Sequence, residues 1–465
     1  MLCVVYQGDP PMTPPLIALP ALNAQETETK HVHIETFGCQ MNKSDSEKML
    51  GLLAQKGYAW TDTPEQADLI LINSCSIREN AVNRLIGHLG RFKPLKRKNP
   101  DLIIGVGGCV PQHEKEALLK RVPHLDLVFG TQTYHKLPEL LDEFHQNQRP
   151  IVSIVRQVDE YPEEIPVIRE GKHHAWITVQ HGCSAFCTFC IVPYTRGQQQ
   201  SRKPEAIAEE IRKVAAEGYT EITLLGQNIN TYGWDLDPGT SLGQLLHLIH
   251  DIDGIRRIRF LTSHPINMRD DLIDAMAELP KVCEFLHLPL QAGDNELLKR
   301  MRRNHTVEFY AELVDKIRAK IPHIVLTSDF IVGFPGETEE QFMGTVESVR
   351  RFAFDSANTA SYSPRPKTPA ARFEEQLSEE EKSRRLNLLN QVVREVALQQ
   401  NRRHLGEIQE VMVESHDAER NNLKGRTRGN KIVHFEGMPR LVGQLVDVKI
   451  FDVTPNTLRG RMVVS

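Results

Sequence analysis

The densest chemistry in this 465-residue chain is a run of three cysteines, His181-Gly-Cys183-Ser-Ala-Phe-Cys187-Thr-Phe-Cys190. The C-x3-C-x2-C spacing holds three thiols in one loop, close enough to converge on a single iron–sulfur cluster. Three protein ligands on a four-iron cube leave one iron open to a small chelating molecule, which a four-cysteine electron carrier does not offer. The competing reading is a zinc knuckle, but structural zinc takes four protein ligands, and no fourth Cys or His stands at a usual spacing. A second set is spread along the chain: Cys39 in Thr-Phe-Gly-Cys-Gln-Met-Asn, Cys75 in Ile-Asn-Ser-Cys-Ser-Ile-Arg and Cys109 in Val-Gly-Gly-Cys-Val-Pro. Each follows a short apolar run. One such cysteine would be ordinary core; three at the same topological position again make three ligands and an open iron. Cys283 reads as core packing and Cys3 as incidental.

Elements must bring these residues together. Between His31 and Asn147, short apolar strands (His31–Phe37, Ala67–Asn73, Asp101–Val106, Leu125–Phe129) alternate with amphipathic helices. Such runs predict an α/β doubly wound parallel sheet. In a parallel sheet all carboxyl ends share one edge, so Cys39, Cys75 and Cys109 are expected in one crevice. Residues 148–168 are acidic, contain proline and read as a linker. From 169 to 400 the alternation restarts, with strands at Trp176–Gln180, Glu221–Leu225, Arg257–Leu261, Phe285–Leu288, Ile324–Phe330 and Asp355–Tyr362. That is too few for a closed eight-stranded barrel and fits a partial (β/α)6 barrel. After a long charged helix, Ser378–His404, residues 401–465 read as a small five-stranded β-barrel.

Composition sets limits. Hydrophobic residues make up 40% and charged residues 25%, an ordinary globular balance. The formal net charge is −5, so any nucleic-acid site must be a local patch. Eight cysteines are too sparse for a disulfide scaffold. No apolar run is long enough to cross a membrane. The segment Leu16–Ala24 is a poor secretory signal, being short, broken by Pro20 and preceded by no Lys or Arg. Residues 1–30 are expected to be a flexible tail, and the chain to be cytoplasmic.

With Phe189 before the last cysteine, C-x3-C-x2-C resembles the radical S-adenosylmethionine enzymes. Cys39, Cys75, Cys109 and a TRAM-like C-terminal barrel narrow the resemblance to their methylthiotransferase family. The motifs Thr36–Asn42, Asn73–Arg78 and Gly182–Gly197 look most like its tRNA-modifying branch. The resemblance spans about His31 to the C-terminus. It implies a methylthiotransferase N-terminal domain (31–147), a radical S-adenosylmethionine core (169–400) and a TRAM RNA-binding domain (401–465). It implies two [4Fe–4S] clusters, on Cys183, Cys187 and Cys190 and on Cys39, Cys75 and Cys109, with two molecules of S-adenosylmethionine used per turnover. An electron delivered to the first cluster would cleave S-adenosylmethionine to a 5′-deoxyadenosyl radical. Such a species is needed because C2–H of adenine is not acidic, so the cofactor carries the chemistry. The implied reaction is methylthiolation at C2 of N6-(dimethylallyl)adenosine, position 37 of the tRNA anticodon loop.

Around that chemistry, Phe189, Gln227, Asn228 and Gly333 are candidate S-adenosylmethionine contacts; the family's usual acid is replaced by the amides Gln227-Asn228. His287 and Gln291 are given no role. Arg196, Arg202, Lys424, Arg426, Arg428 and Lys431 are candidate RNA contacts, in a C-terminal segment with 11 Lys/Arg against 8 Asp/Glu. Expected partners are the tRNA anticodon stem–loop and a low-potential electron donor such as flavodoxin or ferredoxin, with no membrane and a monomeric chain. Competing readings are the same chemistry on N6-threonylcarbamoyladenosine or on a ribosomal-protein aspartate, and a non-enzymatic iron–sulfur or zinc RNA-binding protein. Metal analysis separates the last of these: the cluster reading predicts about eight irons and eight sulfides per chain, and zinc without sulfide contradicts it.

Overall fold

The computed structural model describes residues 29–76 and 81–463. Residues 1–28 of the expected tail, with Cys3, and Ile77 and Arg78 of the second motif lie outside the described residues, and Lys30 already opens the first strand. The N-terminal sheet has six parallel strands: β1 (Lys30–Thr36), β2 (Tyr58–Trp60), β3 (Leu69–Ser74), β4 (Ile103–Gly108), β5 (Leu127–Phe129) and β6 (Ile151–Ser153). Their order is β2-β1-β3-β4-β5-β6. Helices cover both faces, which is why Leu69, Ile70, Leu71 and Ile72 are all fully buried and the strand shows no alternation. The strand order reverses between β1 and β3, the point where open α/β sheets bind ligands. Cys39 and Cys75 follow those two strands.

Two strands of this sheet are missing from the sequence reading. β2 is only Tyr-Ala-Trp, and β6 falls inside the segment read as linker. Residues after β6 also pack rather than dangle: Ile168 N–H donates to Glu47 O, and Tyr161 stacks on His181 with ring centres 3.9 Å apart.

The central unit holds β7 (His174–Thr178), a two-residue ribbon of β8 (Gln180–His181) with β9 (Gln200–Ser201), then β10 (Glu221–Leu225), β11 (Arg257–Phe260), β12 (Phe285–His287), β13 (Val325–Val332) and β14 (Ser356–Ser361). Parallel triplets β7-β10-β11 and β12-β13-β14 are joined by a bridge between Ile258 and Val282. The six expected strands are therefore present as an open (β/α)6 barrel. The β8–β9 ribbon pins the base of the cysteine loop.

The third unit is a closed antiparallel-rich barrel of β15 (Ile408–Asp417), β16 (Asn422–Thr427), β17 (Ile432–Glu436), β18 (Leu445–Val453) and β19 (Thr457–Met462), in the order β15-β16-β17-β19-β18. Val411, Val413, Leu423, Val433, Phe435, Val448, Ile450 and Leu458 fill it.

This small barrel caps the amino ends of the central strands through buried charge. Arg257, fully buried, donates to Glu410 (2.7 Å) and to Arg426 O (3.0 Å). Arg259 bridges Glu221 (2.9 Å) and Thr427 O (2.7 Å). Gly429 touches Val325 so closely that a Cβ would lie 2.4 Å from it. Three of the candidate RNA contacts are used in or beside this seam: Arg428 grips Glu284 (2.8 Å), Lys431 holds Asp355 (2.8 Å), and buried Arg426 pairs with Glu414 (2.8 Å). Desolvation lowers the Arg426 guanidinium to about 9. Arg428 and Lys431 join the barrel to the core and Arg426 pairs within the barrel, so the charges read as phosphate contacts are engaged internally. Lys424, on β16, is half-buried.

Breaking a buried charge pair from one side costs about 3–5 kcal/mol, because the partner is left uncompensated. Arg257→Met is expected to destabilise the chain by that order in urea denaturation and to expose the 402–407 connection to protease. A loss below about 1 kcal/mol contradicts the seam as the holdfast.

Candidate active site

Helix Gln40–Gln55 starts directly after Cys39, and helix Cys109–Glu114 starts at Cys109. With Cys75 just after β3, the three thiols stand close enough that Cys109 and Cys39 together raise the Cys75 thiol. Two glycines make this approach possible. Gly38 has φ +136° and a Cβ there would lie 2.5 Å from Cys75 Cβ; Gly108 has φ +96° and its Cβ would lie 2.3 Å from Ser74 O. Neither position tolerates a side chain. Asn42 braces the site, receiving from Cys39 Sγ at 3.4 Å and donating to Asn73 Oδ1 at 3.1 Å. The neighbouring Cys75 pushes the Cys109 thiol down, and burial opposes it.

The second set sits at the carboxyl end of β7, in the loop closed by the β8–β9 ribbon. Cys183, Cys187 and Cys190 are all buried and form no disulfide. Burial pushes the Cys183 thiol up to about 12 and raises Cys190. A cation in such a site must displace those protons on binding. All three line one cavity, together with Gln227, Asn228, Ser263, His264, Gln291 and Arg303. The cavity wall is short of hydrogen bonds. Gln227 Oε1, Asn228 Oδ1, Ser263 Oγ, His264 Nδ1, Arg303 Nε and both amide atoms of Gln291 are buried without partners. Each costs free energy unless a ligand satisfies it. Arg303 also reaches Cys187 Sγ at 3.6 Å. Desolvation, reinforced by Arg303, lowers His305 to about 4 and His264 further, so both rings are neutral near pH 7.

The structure thus brings Gln227 and Asn228 to the cavity as expected. Phe189 lines an adjoining cavity with Cys190, Ile331, Ala360 and Tyr362. Gly333, with φ +68°, packs on Lys382, whose Cγ would lie 2.5 Å from a Cβ, and its N–H donates to Glu337 at 2.6 Å, in a turn against helix Glu379–Arg402. Gln291, given no role, is a wall residue; His287 lies beside Asp329 at 3.3 Å, deeper in the barrel. Cys283 is buried core as expected. Sequence reasoning misses Ser263, His264 and Gln291, although each follows a strand's carboxyl end, the edge where such folds bind ligands. Arg303 follows a short helix and carries no sequence signal.

Arg196 and Arg202 are also corrected. Both are buried, so neither offers a surface to phosphate. Arg202 binds Glu210 (2.6 Å) and Thr178 O (2.8 Å). Arg196, just after the cysteine loop, binds Asp45 (2.8 Å) and Asn42 (3.2 Å) on the helix that starts beside Cys39. Desolvation works against its charge, and Asp45, Cys109 and Cys39 more than offset that, holding its pKa above the ordinary value. With helix Cys109–Glu114 packed on helix Val192–Thr195, the two cysteine sets are neighbours across one seam.

Comparison with known proteins agrees with this layout. Family models match residues 31–130 (Uncharacterized protein family UPF0004), 177–349 (Radical SAM superfamily) and 402–463 (TRAM domain). A tRNA-2-methylthio-N(6)-dimethylallyladenosine synthase of Thermoanaerobacter sp. (strain X514) is 46% identical over 95% of this chain and 94% of its own. The chain belongs to that synthase family. The Carboxydothermus hydrogenoformans synthase is 48% identical over 93% of this chain and 99% of its own. Among solved structures, the radical S-adenosylmethionine methyltransferase TsrM from Kitasatospora setae, with cobalamin and a [4Fe-4S] cluster bound, shares the fold. Its TM-score is 0.56 at 15% identity, covering 74% of this chain and 77% of that one. Among the described residues, no helix is long and apolar enough to cross a membrane.

The glycine cradle gives a direct test. Gly38→Val is expected to displace Cys75 and lower bound iron by about half, that is by one cluster of two, leaving the Cys183–Cys190 loop loaded. Iron unchanged from the parent chain contradicts the cradle.

Proposed function

We propose that this chain methylthiolates C2 of N6-(dimethylallyl)adenosine at position 37 of tRNA. One observation carries the reading: two sets of three cysteines, five of the six buried, face a single ion-paired seam, one set opening into a cavity of unpartnered polar atoms. The donor sets fit the cofactors. Cys183, Cys187 and Cys190 would hold one [4Fe–4S] cluster, and Cys39, Cys75 and Cys109 a second, each set leaving an iron without a protein ligand. When bound, these groups and S-adenosylmethionine supply the radical chemistry that acts on an unactivated C–H, together with the sulfur and methyl group transferred.

The chain's own residues do the rest. The amide oxygens of Gln227 and Asn228 accept from an ammonium group, while Arg303 and the Gln291 amide donate to a carboxylate, matching the methionine end of S-adenosylmethionine. Phe189, Ile331 and Tyr362 offer an apolar wall to its adenine. Neutral His264 and His305 add no charge to compete with the cationic sulfonium. Arg196 supplies a fixed positive charge beside Cys109 and Cys39, which offsets the negative charge that deprotonated thiols bring into a buried site.

The division of labour is 31–147 for the second cluster, 169–400 for the radical chemistry and 401–465 for RNA. The outward face of the small barrel supports the last assignment: Arg461 lies over exposed Phe451 at 5.3 Å, with Lys449 opposite Arg461 in the ladder. An exposed ring flanked by cations suits an unpaired base and its phosphate. A base in the anticodon loop can be drawn into the site at modest unstacking cost, on the order of a few kcal/mol. The tRNA anticodon stem–loop, a low-potential donor such as flavodoxin or ferredoxin, a cytoplasmic setting and a monomer complete the proposal.

Two variants divide the chemistry. Cys187→Ala is expected to abolish both S-adenosylmethionine cleavage and tRNA modification, whereas Cys75→Ala retains cleavage to 5′-deoxyadenosine and loses the methylthio product. Both are read by mass spectrometry of nucleosides. Modified tRNA from Cys75→Ala contradicts the proposal.

A further inference from the structure

Most cations that the sequence pattern offers to RNA are spent inside the molecule, and an exposed, unpaired set lies elsewhere. Helix Ala81–Lys98 carries Arg84, Arg91, Lys93, Lys96, Arg97 and Lys98 and no Asp or Glu, in a chain of net charge −5. Its inner face, Leu85, Leu89 and Phe92, is buried in the N-terminal core. Lys96 is used internally, bonded to Asp126 at 2.9 Å. Arg91 meets Glu35 only at 3.9 Å. Arg84, Lys93, Arg97 and Lys98 are exposed, and no ion pair among the described residues engages them.

Helix stability does not account for this face. Cations in the last turn complement the helix dipole, but Arg84, Arg91 and Lys93 stand outside that turn. Gly87 and Gly90 are exposed in mid-helix, where glycine is among the poorest residues. A Cβ on either would meet nothing within 4 Å, and neither has the left-handed backbone that demands glycine. They make room for nothing in this chain. The clearance they leave is on the outer surface, between Arg84 and Arg91 and beside Lys93.

The helix is fixed to the thiol site. His88 packs on Phe37, ring centres 4.7 Å apart, two residues before Cys39. The basic stripe from Arg84 to Lys98 runs about 21 Å at about 1.5 Å per residue, enough to follow several phosphates. We propose that this face binds the phosphate backbone of the substrate RNA beside the Cys39–Cys75–Cys109 site, as a contact separate from the small barrel. The inference rests on the tRNA reading above. An RNA backbone fits better than an acidic electron carrier, because the stripe lies on the N-terminal sheet and not on the Cys183–Cys190 loop that receives the electron.

The test uses the full cluster-loaded chain and tRNA bearing N6-(dimethylallyl)adenosine, with binding measured across a salt series. Replacing Arg84, Lys93, Arg97 and Lys98 together by Gln is expected to weaken binding about tenfold or more near 0.1 M salt. The slope of log K against log [salt] should flatten by about 0.7–0.9 for each phosphate that the variant no longer neutralises. RNA-independent S-adenosylmethionine cleavage should be unchanged. Gly87→Leu should weaken tRNA binding several-fold while the melting temperature stays level or rises, which a purely structural helix would not show. Unaltered affinity and slope in the fourfold variant overturn the inference. So does intact tRNA binding with turnover lost on a flavodoxin or ferredoxin and restored by dithionite, which would give the face to the donor. A parent chain that binds no tRNA overturns the underlying reading and this face with it.

Discussion

Everything at this site depends on one buried cation. Arg196 leaves the loop of Cys183, Cys187 and Cys190 and ends on Asp45 at 2.8 Å and Asn42 at 3.2 Å, in the helix that begins beside Cys39. Asn42 in turn holds Asn73 and Ser74 O, next to Cys75. A single guanidinium therefore joins two domains and braces both thiol sets. Burying an ion pair is not a gain in stability by itself, since desolvation cancels much of the attraction. What it provides is geometry: a buried pair has few alternative arrangements, and a misplaced one is costly. It also places positive charge where deprotonated thiols need it.

The central barrel is closed from two sides by different means. At the carboxyl ends of its strands, polar atoms face a cavity with their hydrogen bonds unmade, the mark of a site that waits for a ligand. At the amino ends, the C-terminal barrel seals the interior with Arg257, Arg259 and Arg428 paired to Glu410, Glu221 and Glu284. The same residue types thus do opposite work. Paired charges make the floor, and unsatisfied amides make a receptive wall.

Much of this is legible in residue order. Strands buried on both faces announce themselves as continuous apolar runs, as β3 and β4 do, while β1 and the central strands stand out by their place between helical segments. The rule that cysteines after parallel strands share an edge places Cys39, Cys75 and Cys109. Tyr58–Trp60 and Ile151–Ser153 do not stand out, because three-residue edge strands carry too little pattern. Basic residues mislead for a physical reason: an arginine's partners come from distant segments, and sequence shows its charge without showing what neutralises it. Arg196 finds Asp45 in another domain, and Arg428 finds Glu284 across the seam. Arg303 and Gln291 are invisible as wall residues because only the folded barrel turns them inward.

Whether Arg196 couples the two thiol sets is the decisive question. The direct measurement is 5′-deoxyadenosine and methylthiolated tRNA nucleoside quantified in the same reaction for Arg196→Met. Coupling through Arg196 predicts that cleavage of S-adenosylmethionine persists while methylthio product falls far more steeply, so the ratio of 5′-deoxyadenosine to product rises. An unchanged ratio, with product formed in step with cleavage as in the parent chain, would contradict it.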